Sequence, residues 1–296
     1  MIQSASSTFK RWALAVACTA ALSGPGHAFE LVPGHVYTSD SSTNAITQVQ
    51  PDGVEVGTLT LPGYTDGTKG LAFGPDGTLF VVAVADHGFD VVRIGPQGQV
   101  LATYAGPTYV FGNLSYGKIA VSDSGRVYVT GQDSLLTFQP GVTGVSTIYT
   151  DNQVYDVEIL PSGNLLVLTA YRIVELTPSG GFVRTVVPSH GVVDGRGLEY
   201  DPVTNSVFAT MLGYSEHYFQ VMRFDASTGI LEGSNAYTYA DDLFLTIDRR
   251  LLVGSRTQPP AWFGLDTAML GVLNPRQRMF VTVYSVEAVF SDDFED

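Results

Sequence analysis

The chain has 296 residues, 45 % of them apolar, a formal net charge of −14 and a single cysteine. Such acidity repels phosphate backbones and anionic lipid, which excludes nucleic acid and membrane surfaces as partners. The lone cysteine excludes a disulfide framework, and the length suffices to bury a core without such staples.

Residues 1–28 read as an export signal. Lys10 and Arg11 form a basic start, and residues 12–22 form an apolar stretch too short to span a bilayer. Gly26-His27-Ala28 supplies the small residues of a cleavage site after Ala28. Ala15-Val16-Ala17-Cys18 offers a second reading, a lipoprotein acceptor at Cys18. Cleavage after Ala28 removes two bases and no acids, so the formal charge moves from −14 to −16. It also removes Cys18, which rules out thiol nucleophiles and cysteine-ligated metals in the product. The expected location is periplasmic or extracellular, with no membrane insertion once the signal is gone.

Residues 29–290 read as one domain, followed by a short acidic tail at 291–296. A two-turn unit recurs through the domain about every 45 residues. Its clearest copy spans residues 70–105, with four apolar strands broken by Pro75-Asp76-Gly77, a polar loop and Pro96-Gln97-Gly98. Outer turns fall at Pro51-Asp52-Gly53, Pro96-Gln97-Gly98, Pro140-Gly141, Pro178-Ser179-Gly180, Ser227-Thr228-Gly229 and Asn274-Pro275. Inner turns fall at Pro75-Asp76-Gly77, Ser124-Gly125, Ser162-Gly163, Val203-Thr204-Asn205 and Asp248-Arg249. The first unit, near residues 35–61, lacks its innermost strand. Residues 285–289 resemble residues 156–160 and are expected to supply it, closing the ring and abolishing its free edge. The expected fold is all-β: a six-bladed β-propeller of four-stranded antiparallel blades, closed by the C-terminal strand.

The stretch KGLAFGPDGTLFVV at residues 69–82 resembles the inner hairpin of NHL-type repeats and of the senescence-marker/gluconolactonase propellers. Weaker copies stand at residues 118–130 and 157–169. The matched residues build turns and packing, so the resemblance implies a fold more than a function. The gluconolactonase side of it implies a divalent cation, such as calcium, and a hydrolase site in the central channel.

In such blades the hairpin turns lie on one face and the remaining loops on the other. The loop face is expected to carry Tyr116, Tyr155, His190, Tyr214, His217, Tyr218 and Trp262 as stacking and polar contacts. Lys69 and Lys118, the only lysines after residue 28, fall where inner strands reach the channel, and Arg196 aligns with Lys69. Asp156, Glu158, Glu199 and Asp242 complete a ring of mixed charge at the channel mouth.

These residues support two functions. One is a non-catalytic module binding a protein, peptide, glycan or small polar ligand through the loop face and channel mouth. The other is a metal-dependent, lactonase-like hydrolase whose candidate ligands are Asp156, Glu158, Glu199 and Asp242. Lys69 and Arg196 stand where the resembling enzymes commonly carry an acid, and a fixed cation there opposes metal binding by roughly a few kcal/mol.

Overall fold

Turns rich in Gly, Pro, Asp and Asn cut the chain into short β-branched and aromatic runs, and each run folds back on the one before it. The computed structural model describes residues 29–39, 42–64, 67–86, 88–107, 117–141, 144–188, 195–212, 219–237, 240–255, 258–273 and 280–283. Among them all regular structure is β, with 24 strands in six four-stranded antiparallel sheets.

The first blade holds β1 (Val36–Ser39), β2 (Ala45–Val49) and β3 (Glu55–Thr60). The second holds β4 (Thr68–Phe73), β5 (Leu79–Ala85), β6 (Gly88–Ile94) and β7 (Val100–Ala105). The third holds β8 (Ile119–Val121), β9 (Val127–Thr130), β10 (Ser134–Phe138) and β11 (Val145–Thr150). The fourth holds β12 (Val154–Ile159), β13 (Leu165–Thr169), β14 (Ile173–Leu176) and β15 (Phe182–Val187). The fifth holds β16 (Gly197–Asp201), β17 (Ser206–Leu212), β18 (Phe219–Asp225) and β19 (Leu231–Ala236). The sixth holds β20 (Ala240–Leu245), β21 (Leu251–Ser255), β22 (Ala261–Phe263) and β23 (Met269–Val272). The last strand, β24 (Phe280–Val283), returns to the first blade, giving the order β24-β1-β2-β3.

The C-terminal strand therefore closes the ring, but it is not the expected segment. β24 lies at Phe280–Val283, where Val281 pairs with Thr38 and Thr282 with Tyr37. The β-branched run Val281-Thr282-Val283 suits a pleated strand better than the acidic 285–289 segment does. Residues 285–289 and the 291–296 tail lie outside the described residues.

A second correction concerns the sixth outer turn. It occupies residues 264–268, between β22 and β23, rather than Asn274-Pro275. The other outer turns place a Gly at positive φ. Here Thr267 takes that conformation, with φ 66°, and so hides the turn from a search for Gly or Pro.

Register explains how the blades pack. Tyr37, Phe80, Tyr128, Leu166, Phe208 and Leu252 occupy the equivalent place on the second strand of each blade, and each is at most 2 % exposed. Their partners on the innermost strands are Thr282, Ala72, Ala120, Glu158, Glu199 and Phe244. One belt of large side chains thus fills the seams and leaves a mixed set of residues facing the channel. The outermost strands β3, β7 and β19 alternate between half-buried and exposed positions over most of their length, as strands covered on one face do.

Ending the chain at residue 279 removes β24 and leaves the inner edge of β1 unpaired. This truncation is expected to abolish the single cooperative thermal transition, measured by circular dichroism. A truncated chain that melts like the full one contradicts ring closure.

Candidate ligand-binding channel

The innermost strands β4, β8, β12, β16 and β20 enter the channel from the loop face and end in an inner turn on the other. Three of them are irregular where they enter. The pairing register shifts between Thr68 and Leu71 in β4, between Val154 and Asp156 in β12, and between Ala240 and Asp242 in β20. Such bulges re-aim the neighbouring side chains. The registers also place Gly70, Lys118, Asp156, Gly197 and Asp242 at one level, with Lys69, Tyr155, Arg196 and Asp241 one step before it. Arg196 does match Lys69, as expected. Lys118 does not. It belongs with the two aspartates.

The residue at this level decides how one blade meets the next. A Cβ on Gly70 would stand 2.5 Å from the Gly117 carbonyl oxygen, and one on Gly197 would stand 2.9 Å from the Leu243 nitrogen. In those two seams the backbones touch directly, and only glycine fits. In two other seams a carboxylate fills the gap. Asp156 Oδ2 accepts the Leu198 N–H at 2.8 Å, and Asp242 Oδ2 accepts the Val281 N–H at 2.9 Å.

Lys118 lies 2 % exposed among these groups. Its ammonium pairs with Asp242 Oδ1, donates to the Asp241 carbonyl at 2.8 Å and stands 4.0 Å from Asp156 Oδ2. Because Lys118 comes from the third blade and Asp242 from the sixth, the pair crosses the channel between opposite sides of the ring. Beside it, Arg196 Nη1 is 3.9 Å from Asp241 Oδ1, and its guanidinium lies 6.0 Å from the centre of the Tyr155 ring. Lys69 is also buried, at 3 % exposed, in the seam against Gly117 rather than in the channel wall.

Below this level the channel widens into a cavity of about 930 Å³. It opens on the face of the inner turns, between Pro75-Asp76-Gly77, Ser122-Asp123-Ser124 and Pro161, with Phe73, Ile159, Leu160 and Phe244 as apolar walls. Glu158 and Glu199 project from adjacent blades into it. Glu199 is 9 % exposed and accepts the Leu245 backbone N–H, while Glu158 is half-buried and accepts that of Ile159.

Burial dominates the acid–base chemistry. Desolvation, then repulsion from Asp156, pushes Glu158 up to about 8. Desolvation, reinforced by Glu158 and Asp156, holds Glu199 well above the ordinary glutamate value. Asp156 is pushed up to about 7 by desolvation, which outweighs the opposing pull of Lys118. Asp242 is raised for the same first reason, against Lys118 and two backbone N–H groups.

Two of the four carboxylates considered for a metal are therefore already committed. Asp156 and Asp242 hold Lys118 and backbone N–H groups, and among the described residues no group of three or more His, Cys, Asp or Glu side chains could hold a metal ion. The residues fit a divalent cation poorly.

The loop-face residues fare as follows. Tyr116, His190, Tyr214, His217 and Tyr218 lie outside the described residues. Tyr155 is on β12 and 1 % exposed, a plug between blades rather than a displayed ring. Trp262 is not on the loop face. It sits in β22 opposite Leu252, near the inner-turn end, with the Arg250 guanidinium 4.6 Å over its ring. The cavity walls Phe73, Ile159, Leu160 and Phe244 were not foreseen as functional. Phe244, an aromatic at the level of Glu158 and Glu199, is the signal that could have found them.

No family model matches this chain, and no curated protein matches it. Solved structures do. A chain of a nidogen/laminin complex superposes with a TM-score of 0.69 at 13 % identity, covering 85 % of this chain and 99 % of that one. A streptogramin B lyase gives 0.56 at 14 % identity, over 76 % and 74 %. A chain provisionally described as a gluconolactonase gives 0.55 at 14 % identity, over 74 % and 82 %. At these identities the likeness shows the propeller fold alone.

Two outcomes follow from the buried charges. Replacing Lys118 by Met leaves Asp156 and Asp242 without their cation, and is expected to cost about 3–5 kcal/mol at pH 8, read by chemical denaturation. The loss should shrink at pH 5, which lies below the value of about 7 to which burial raises Asp156, and burial raises Asp242 in the same direction. An equal loss at both values contradicts the pairing. Glu158 has a folded value above its unfolded one, so the folded chain binds the proton more tightly. Its contribution is present below about pH 4.5 and is lost as pH rises through about 8. Glu158→Gln is thus expected to raise Tm by a few degrees at pH 8.5 and to change it little at pH 4.5.

Proposed function

We propose that this chain is an exported binding propeller that takes a small polar ligand, or the side chain of a peptide, into its central channel from the inner-turn face. The observation that carries this reading is the cavity of about 930 Å³, which ends on ionisable groups and has apolar walls. Pockets of this size with a few convergent polar groups are the usual form of a ligand site. The committed pairing of Lys118 with Asp156 and Asp242 supports binding over metal-assisted hydrolysis. One structural neighbour comes from a complex of two proteins, nidogen and laminin, which supports a protein or peptide among the occupants. Export follows from the basic and apolar start of the sequence and its small-residue cleavage site.

The test is a ligand-observed NMR screen of small polar compounds and short peptides against the chain from residue 29 onward. Hits are expected to disappear in Ala72→Tyr, which fills the channel from a half-buried inner-strand position. Circular dichroism verifies that the variant is folded. Hits that survive Ala72→Tyr place the site elsewhere and contradict the proposal.

A further inference from the structure

The charges lining the cavity are unbalanced. Asp76, Asp123, Asp156, Glu158, Glu199 and Asp242 face it against Lys118 and Arg126. Asp76 is held by Arg93 at the rim, and Lys118 is spent on Asp156 and Asp242. Arg126 sits at the mouth and donates to Gln139 at 3.2 Å. Deeper in, Arg196 is engaged beside Asp241, Lys69 lies in its seam, and β24 brings no charged residue. Glu158 and Glu199 therefore have no cation near them among the described residues. Each accepts one backbone N–H, and Glu199 is 9 % exposed. A buried carboxylate without a counter-ion is costly, and a cation supplied from outside removes that cost.

We infer that the channel selects a cationic, amphipathic ligand, an ammonium group carried on an apolar body, with the cation between Glu158 and Glu199 and the body along Phe73, Ile159, Leu160 and Phe244. This inference rests on the channel being the binding site. The two glutamates come from neighbouring blades, line the same cavity and repel one another, so a cation placed between them relieves both. Phe73 and Phe244 give the ligand apolar and aromatic surface, which suits alkylated ammonium groups. The acidic surface of the whole chain draws cations toward the mouth. Because an ammonium favours the ionised glutamates, binding releases protons and strengthens as pH rises. The groups that set this dependence are Glu158 and Asp156 on β12, Glu199 on β16, Asp241 and Asp242 on β20, Lys118 before β8 and Arg196 before β16.

Choline and its neutral isostere 3,3-dimethylbutan-1-ol provide the test, titrated by ligand-observed NMR. Choline carries a permanent charge, so any pH dependence belongs to the protein. Choline is expected to bind about tenfold more tightly than the alcohol at pH 8.5, and to lose about tenfold in Glu199→Gln or Glu158→Gln. Both amides relieve repulsion, so they should fold at least as well as the parent chain. Affinity is expected to fall severalfold from pH 8.5 to pH 5.5. If the alcohol binds as tightly and Ala72→Tyr abolishes both, the channel is a site but the cation inference is overturned. If neither probe binds, the cation inference is overturned, while the channel reading is decided by the screen with Ala72→Tyr.

Discussion

One buried ammonium organises the centre of this ring. Lys118 leaves the third blade, crosses the channel and pairs with Asp242 on the sixth, with Asp156 of the fourth beside it. The aspartates then reach onward, Asp156 to the Leu198 N–H of the fifth blade and Asp242 to the Val281 N–H of β24. Five of the six inner strands are tied by this one constellation, and Gly70 brings the remaining one into backbone contact with the third. Taking these charges out of water costs several kcal/mol per ion, so the network adds little net stability over an apolar plug. What it supplies is register, because each carboxylate oxygen has one partner that only correctly closed blades present.

The same network divides the channel's acids into two classes. Asp156 and Asp242 are compensated and structural. Glu158 and Glu199, one pleat further in, share the low-dielectric surroundings without a cation. A propeller could have filled this space with apolar residues, as Ala72, Ala120 and Phe244 do at the same level. The two glutamates instead leave a cavity that is polar in its depths and apolar along part of its wall, the arrangement on which the proposed recognition depends.

Much of the fold was legible from residues 70–105, because a β-propeller repeats its turns and its turns require Gly, Pro, Asp or Asn. The failures came where another residue met the same backbone demand. Thr267 at positive φ concealed the sixth outer turn. The closing strand was sought by likeness to the acidic run at 156–160, whereas pairing with β1 uses the β-branched run at Phe280–Val283. The lysines appeared equivalent because the bulge between Thr68 and Leu71 does not show in the sequence. The charged level itself was legible, as were Asp156, Glu158, Glu199 and Asp242. Its pairing was not, since Lys118 and Asp242 lie 124 residues apart and meet only after the ring closes. The cavity was not legible in the sequence: short turns suggested a plain face, yet it opens among them.

The account stands on two carboxyl groups desolvated in the channel without a cation at neutral pH. Carboxyl carbon-13 chemical shifts of Glu158 and Glu199, followed by NMR from pH 4 to pH 10, test this most directly. Glu158 is predicted to titrate at about 8, with Glu199 also well above the ordinary glutamate value. Titration of both near the solvent value of about 4.3 would contradict it.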